Sequence, residues 1–174
     1  MLSFFRNDPL TEPALALYRA IVAQSRHTHF YADLGIADTP RGRFMAISLH
    51  VALVLRRLKQ APEAAAFAQK LFDCFFQDMD RSLREMGVSD LAIGKRVGDL
   101  AKSFYGLLGS LTAALDSGDR AALVEALSRN VYDDAPNKTA ELAAYCESMA
   151  AFLIRQPAGE LIAGRIEFAE PAAA

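Results

Sequence analysis

The densest run of reactive side chains in this 174-residue chain lies between Asp73 and Glu85, where Asp73, Asp78, Asp80 and Glu85 are interleaved with Arg81 and Arg84. Carboxylates at this density are the raw material of a cation site or of acid–base chemistry. The arginines oppose both uses. A cation held by the acids leaves Arg81 and Arg84 unpaired, and a guanidinium stays protonated throughout the working pH range. The run therefore reads as a solvated ion-pair face or a docking surface. On a helix, Asp73, Gln77, Asp80, Arg81 and Arg84 share one side, while Phe72, Phe75, Phe76, Met79, Leu83 and Met86 share another at three-and-four spacing. Arg81 and Glu85, four apart, form an ordinary helix pair.

Other reactive groups are sparse. A di-iron helical bundle needs Glu-x-x-His pairs on facing helices, and the chain has none; its histidines are His27, His29 and His50. His27 and His29 sit in a loop with Asp33 as the nearest carboxylate, a thin basis for a metal. His50, beside Val51 and Val54, reads as a core or boundary histidine before it reads as a ligand. Cys74 and Cys146 lie in apolar helical patterns and read as buried, reduced thiols behaving as small hydrophobes. There is no Gly-x-Ser-x-Gly elbow and no glycine-rich loop between a strand and a helix. The expectation is a protein without enzyme activity, cofactor or metal.

The elements that position these residues read as six helices, with no convincing strand. The first spans about Glu12 to Gln24, with Thr11 as its cap and Leu15, Tyr18, Ile21 and Val22 on its inner face. His27 to Thr39 reads as a loop. Thr39-Pro40, a cap followed by a first-turn proline, opens the second helix, with Phe44, Ile47, Val51, Val54 and Leu58 inward. The third runs from Pro62 to Met86, bending near Asp78, and stops at Gly87, a left-handed C-terminal position. The fourth opens at Ser89 or Asp90, carries Ile93, Val97, Leu100, Phe104, Leu107, Leu108 and Leu111, and ends before Ser117-Gly118. The fifth runs from Asp119 to Tyr132. A turn containing Pro136 joins it to the sixth, Thr139 to Arg155. The fold class is all-α: a single compact helical domain over 11–156, with an extension at 1–10 and a Gly-punctuated tail at 157–174 whose closing Pro171-Ala-Ala-Ala is frayed.

Composition sets further bounds. Hydrophobic residues make up 52% of the chain and charged ones 23%, which is a globular balance rather than a disordered one. The formal net charge of −2 excludes a protein that coats nucleic acid. The longest apolar run, Phe44 to Leu55, is about twelve residues, well short of the roughly 20 that a bilayer-spanning helix needs. The start has no signal-peptide pattern. Arg56, Arg57 and Lys59 complement a helix C-terminus. Arg43, Lys95 and Arg96 lack that rationale; with Arg81 and Arg84 they could line a charged groove next to Phe75 and Phe76, suited to a polypeptide of mixed apolar and polar character.

A set of short motifs, in order along the chain, resembles the ubiquinol–cytochrome c chaperone family, assembly factors of the respiratory cytochrome bc complex. The motifs begin with Leu17-Tyr18, Gln24-Ser25-Arg26 and Phe30-Tyr31. They continue through Gly42-Arg43-Phe44, Leu49-His50-Val51 and Leu55-Arg56-Arg57-Leu58. Next come Leu71-Phe72-Asp73, Phe76-x-Asp78-Met79-Asp80, Leu83-Arg84-Glu85-Met86-Gly87-Val88-x-Asp90 and Gly94-Lys95-Arg96-Val97. Phe104-Tyr105-Gly106 and Leu127-x-Arg129-Asn130-Val131-Tyr132 close the set. Each is weak alone; the ordered set is specific. The resemblance implies a non-catalytic chaperone whose client is newly made cytochrome b. For mitochondrial relatives it also implies a small partner protein and the ribosome near its tunnel exit. The short stretch before the first helix leaves no room for a mitochondrial targeting extension, so the expectation is a bacterial-type member on the cytoplasmic side of the inner membrane, peripheral to it and without direct DNA binding. Candidate partner-binding residues are Asp78, Asp80, Arg81, Arg84, Glu85, Lys95 and Arg96, with Arg43 and His50 behind them. The competing reading is a helical carrier of haem, quinone or lipid, with His50 and Tyr105 as contacts in a cavity between helices.

Overall fold

Helix α3, Pro40–Lys59, is the organising element. Every residue from Phe44 to Val54 is buried. A helix apolar all round must be surrounded by others, and α3 packs against α1 (Thr11–Ser25), α4 (Ala65–Glu85), α5 (Asp90–Ser117), α6 (Arg120–Val131) and α7 (Thr139–Ile154). Two short helices complete the fold: α2 (Thr28–Ala32) and α8 (Ala158–Ile162). The computed structural model describes residues 8–132 and 138–169, all of it helix and connection, with no strand among the described residues. The turn around Pro136, the first seven residues of the N-terminal extension and the closing Pro171-Ala-Ala-Ala lie outside the described residues.

Local chemistry explains most boundaries. The Thr39 hydroxyl accepts a hydrogen bond from the Gly42 N–H (3.1 Å) at the start of α3, and Pro40 follows the cap as the sequence requires. Gly42 has a second reason to be glycine: a Cβ there would sit 1.9 Å from the Ala37 carbonyl oxygen. A single 3₁₀ turn at Pro62–Ala64 restarts the chain into α4, which then runs unbroken to Glu85. It ends in a Schellman motif: Gly87 is left-handed (φ 82°), its N–H reaches Arg84 O (2.9 Å), and the Val88 N–H reaches Leu83 O (3.1 Å). The Asp119 side chain caps α6 through the Ala122 N–H (2.9 Å).

Three expectations are corrected. Thr11 does not cap α1; its hydroxyl is buried without a partner among the described residues, and the Asp8 carboxylate makes the turn by accepting from the Leu10 N–H (3.0 Å). The 27–39 segment is not all loop, because the His27 ring accepts from the His29 N–H and starts the one-turn helix α2. The segment after Pro157 folds back onto the domain. Leu161 of α8 is fully buried, and Ile166, Phe168 and Ala169 pack on the core.

Phe75 sits at the centre of the core's aromatic cluster, stacked on Phe44 (centroids 5.9 Å) and within 5.0 Å of Phe76 and Phe104. Truncating such a residue to alanine costs about 3–5 kcal/mol. Its place in α4 sets the orientation of the charged residues that follow it.

Candidate functional site

The charged run occupies the C-terminal half of α4, and the α4–α5 turn brings its end against the start of α5. Arg84 is the joint. Its guanidinium holds Asp80 (Nε to Oδ2, 2.8 Å) one turn back on α4 and Asp90 (Nη1 to Oδ1, 2.6 Å) across the turn on α5. These two hydrogen-bonded carboxylates, Asp80 first, raise the Arg84 pKa above its ordinary value. All three side chains face solvent, where such pairs are screened and contribute little stability. They bridge the two arms of the helical hairpin formed by α4 and α5 across its exposed tip.

That tip carries apolar groups that the periodicity assigns elsewhere. Met86, in phase with the α4 core stripe, falls one residue beyond the helix and is 57% exposed; Leu91 is 99% exposed. The signal for Leu91 was in the sequence, since it lies off the Ile93–Phe104–Leu107–Leu111 stripe that α5 buries. No pattern within α4 could reveal the exposure of Met86, which depends on none of the other described elements covering that end. Lys95 and Arg96 are exposed on the next turn of α5, with no ion pair among the described residues.

The remaining candidates divide. Asp78 turns inward: its Oδ2 accepts from the Tyr18 hydroxyl (2.8 Å), tying α1 to α4, while Oδ1 pairs with Arg81. Burial, with the Asp78 carboxylate second, pushes the Tyr18 pKa up. Arg81 thus pairs with Asp78, three residues back, and not with Glu85; among the described residues Glu85 has no ion pair. Arg43 pairs with exposed Asp38 (2.6 Å) and lines a separate hollow of about 550 Å³ with Ser25, Arg26 and Tyr31. No hydrogen bond or ion pair among the described residues joins it to the hairpin.

His50 is fully buried, which removes it from the exposed hairpin surface. Its Nδ1–H donates to Ala46 O (2.7 Å), so Nε2 accepts from the Tyr145 hydroxyl (2.7 Å), whose oxygen accepts in turn from Gln24 Nε2 (3.3 Å). Phe30 and Phe168 close over the ring edge-to-face. Burial lowers the His50 pKa to about 4, so it is a neutral, hydrogen-bonded core group. The two contacts named for a carrier lie apart among the described residues. Tyr105 lies on the outer face of α5, beside Phe72 in an open groove of about 640 Å³ with Leu55 and Leu108, whereas His50 is walled in by α2, α7 and the C-terminal segment.

No group of histidine, cysteine or carboxylate side chains among the described residues could hold a metal ion. Burial raises the pKa of both thiols, Cys146 more strongly than Cys74, away from a reactive thiolate. No helix among the described residues is long and apolar enough to cross a membrane. What the hairpin offers is a contact surface: two exposed apolar side chains set among charges of both signs.

Comparison with known proteins points the same way. Residues 32–168 match the sequence profile of the family described as Ubiquinol-cytochrome C chaperone. The chain is 25% identical over 144 residues to "Ubiquinol-cytochrome-c reductase complex assembly factor 1" from Xenopus laevis, covering 80% of this chain and 72% of that one. Its fold superposes on the "Crystal structure of the Cbp3 homolog from Brucella abortus" with a TM-score of 0.82 and 39% identity, across 93% of this chain and 92% of the other.

Proposed function

This chain belongs to the ubiquinol–cytochrome c chaperone family, and from that membership we propose that it acts without catalysis as an assembly chaperone of the ubiquinol–cytochrome c reductase complex, holding newly made cytochrome b. The observation that carries the reading is the match to the family over 32–168, which includes the whole α4–α5 hairpin. The surface geometry supports it. A client awaiting membrane insertion or subunit contact presents apolar side chains together with charged loop residues. The hairpin tip answers both, with Met86 and Leu91 for the first and Arg84, Glu85, Lys95 and Arg96 for the second. In this reading the client touches that tip, beneath which Asp78 holds α4 against α1 through its bond to Tyr18.

The test is affinity capture of the tagged chain from respiring cells, with cytochrome b scored by mass spectrometry and its haem by absorption. Cytochrome b should co-purify with the unaltered chain. It should be lost from Arg84→Glu, Asp80→Arg and Leu91→Asp variants whose thermal unfolding is unchanged. Capture without cytochrome b, or variants that lose client only in step with their stability, would refute the placement.

A further inference from the structure

The C-terminal segment is held in a way that ordinary core packing does not require. The Gln156 carboxamide, just past α7, makes two hydrogen bonds to the backbone of one residue. Its Nε2 donates to Glu167 O (2.8 Å), and its Oε1 accepts from the Glu167 N–H (2.9 Å). A side-chain amide paired in this way reads main chain and is indifferent to the side chain of the residue it holds. The side chains on either side supply the selectivity. Ile166 and Phe168 turn inward and Glu167 outward, the period of two of an extended strand. The Phe168 ring seats edge-on against His50 at 6.1 Å.

The backbone of the seat is held by contacts that do not involve its occupant. Arg57 of α3 donates to Leu153 O (3.0 Å) and Gln156 O (2.8 Å), fixing the end of α7 from which the Gln156 side chain extends. Before the strap begins, Leu161 anchors α8 in the core. Left-handed Gly164 (φ 79°) passes so close to α1 that a Cβ would lie 2.7 Å from Pro13 O. Arg165 is tied back to Glu160 of α8, so the strap from Ile166 to Ala169 can leave while its anchor stays.

We propose that this groove, between Gln156 and His50, is a peptide-docking site that the chain's own Ile166-Glu167-Phe168 fills in cis. Its exchange partner is an extended segment of another polypeptide with an aliphatic and an aromatic residue two apart. Polypeptide is favoured over a small molecule because the backbone of Glu167 is bound through both its N–H and its C=O. The site lies on α3 and the end of α7, away from the hairpin, and does not depend on cytochrome b being the client.

Full-length protein is titrated with a fluorescein-labelled, C-terminally amidated Arg-Ile-Glu-Phe-Ala peptide, followed by anisotropy. The tethered strap competes at high effective concentration, so Phe168→Ala should bind at least tenfold more tightly than the unaltered chain. Adding Gln156→Ala should abolish that gain, and a scrambled peptide should not bind. Equal affinity for the unaltered and Phe168→Ala chains, or no binding to folded Phe168→Ala at millimolar peptide, overturns the proposal. Should Phe168→Ala unfold, hydrogen exchange on the unaltered chain decides. Unlabelled peptide must speed exchange at the Glu167 N–H, and an unchanged rate overturns the proposal.

Discussion

Acidification from pH 7 to pH 5 should destabilise this protein through His50, and the size of the effect follows from its surroundings. The ring is fully buried among Phe30, Tyr145 and Phe168, with no carboxylate in contact, and burial lowers its pKa to about 4 from an ordinary 6.5. Between those values the unfolded chain binds a proton that the folded chain refuses, so stability rises with pH across the window. The neutral ring's advantage is complete above about 6.5 and is lost as pH falls toward 4. The full span is worth about 3 kcal/mol, of which about 2 kcal/mol is lost between pH 7 and pH 5. For a chain of this size that is roughly 4–8 °C in Tm. Asp8, Asp38 and Glu160, whose pKa values their cationic neighbours lower, remain ionised at pH 5 in the folded state and titrate mainly below it. The assay is urea unfolding at the two pH values for the unaltered chain and for His50→Leu. The difference between their pH 7 to pH 5 losses isolates this one ring. Equal losses in the two proteins would refute the argument.

Three further predictions rest on separate contacts. Tyr145→Phe removes the donor to His50 Nε2, leaving a buried acceptor unpaired; urea unfolding at pH 7 should show a loss of about 1–3 kcal/mol, and an unshifted midpoint would mean that another donor reaches the ring. Gly42→Ala drives a Cβ into the Ala37 carbonyl, and because the obstruction is backbone the loop must move. Thermal denaturation should show a loss of about 1–3 kcal/mol or more, and an unchanged Tm would show that the loop yields freely. Arg84→Ala breaks solvent-exposed pairs with Asp80 and Asp90 and should leave the urea midpoint where it was. A large shift would give Arg84 a role in holding the fold rather than in presenting a surface.

The sequence by itself determined the helical architecture and most of its boundaries, because caps, prolines, left-handed glycines and three-and-four spacing act within a few residues. Thr39-Pro40, Gly87, Ser117-Gly118 and Asp119 each mark a terminus that the structure realises within a residue or two. The family was legible too, since an ordered set of weak motifs survives where no single one is diagnostic. Tertiary structure decided which charged and apolar residues face outward. Arg81 has Asp78 and Glu85 at comparable helical distance, and the inward turn of Asp78 toward Tyr18 is set by α1, sixty residues away in sequence. Met86 is in phase with the core yet exposed, because none of the described elements covers the end of α4. His50 changes from a boundary histidine to a neutral core group because α2, α7 and the returning C-terminal strap close over it. The strap's clamp depends on a glutamine at 156 meeting a backbone at 167, a pairing without periodicity, and only the folded chain brings the two together.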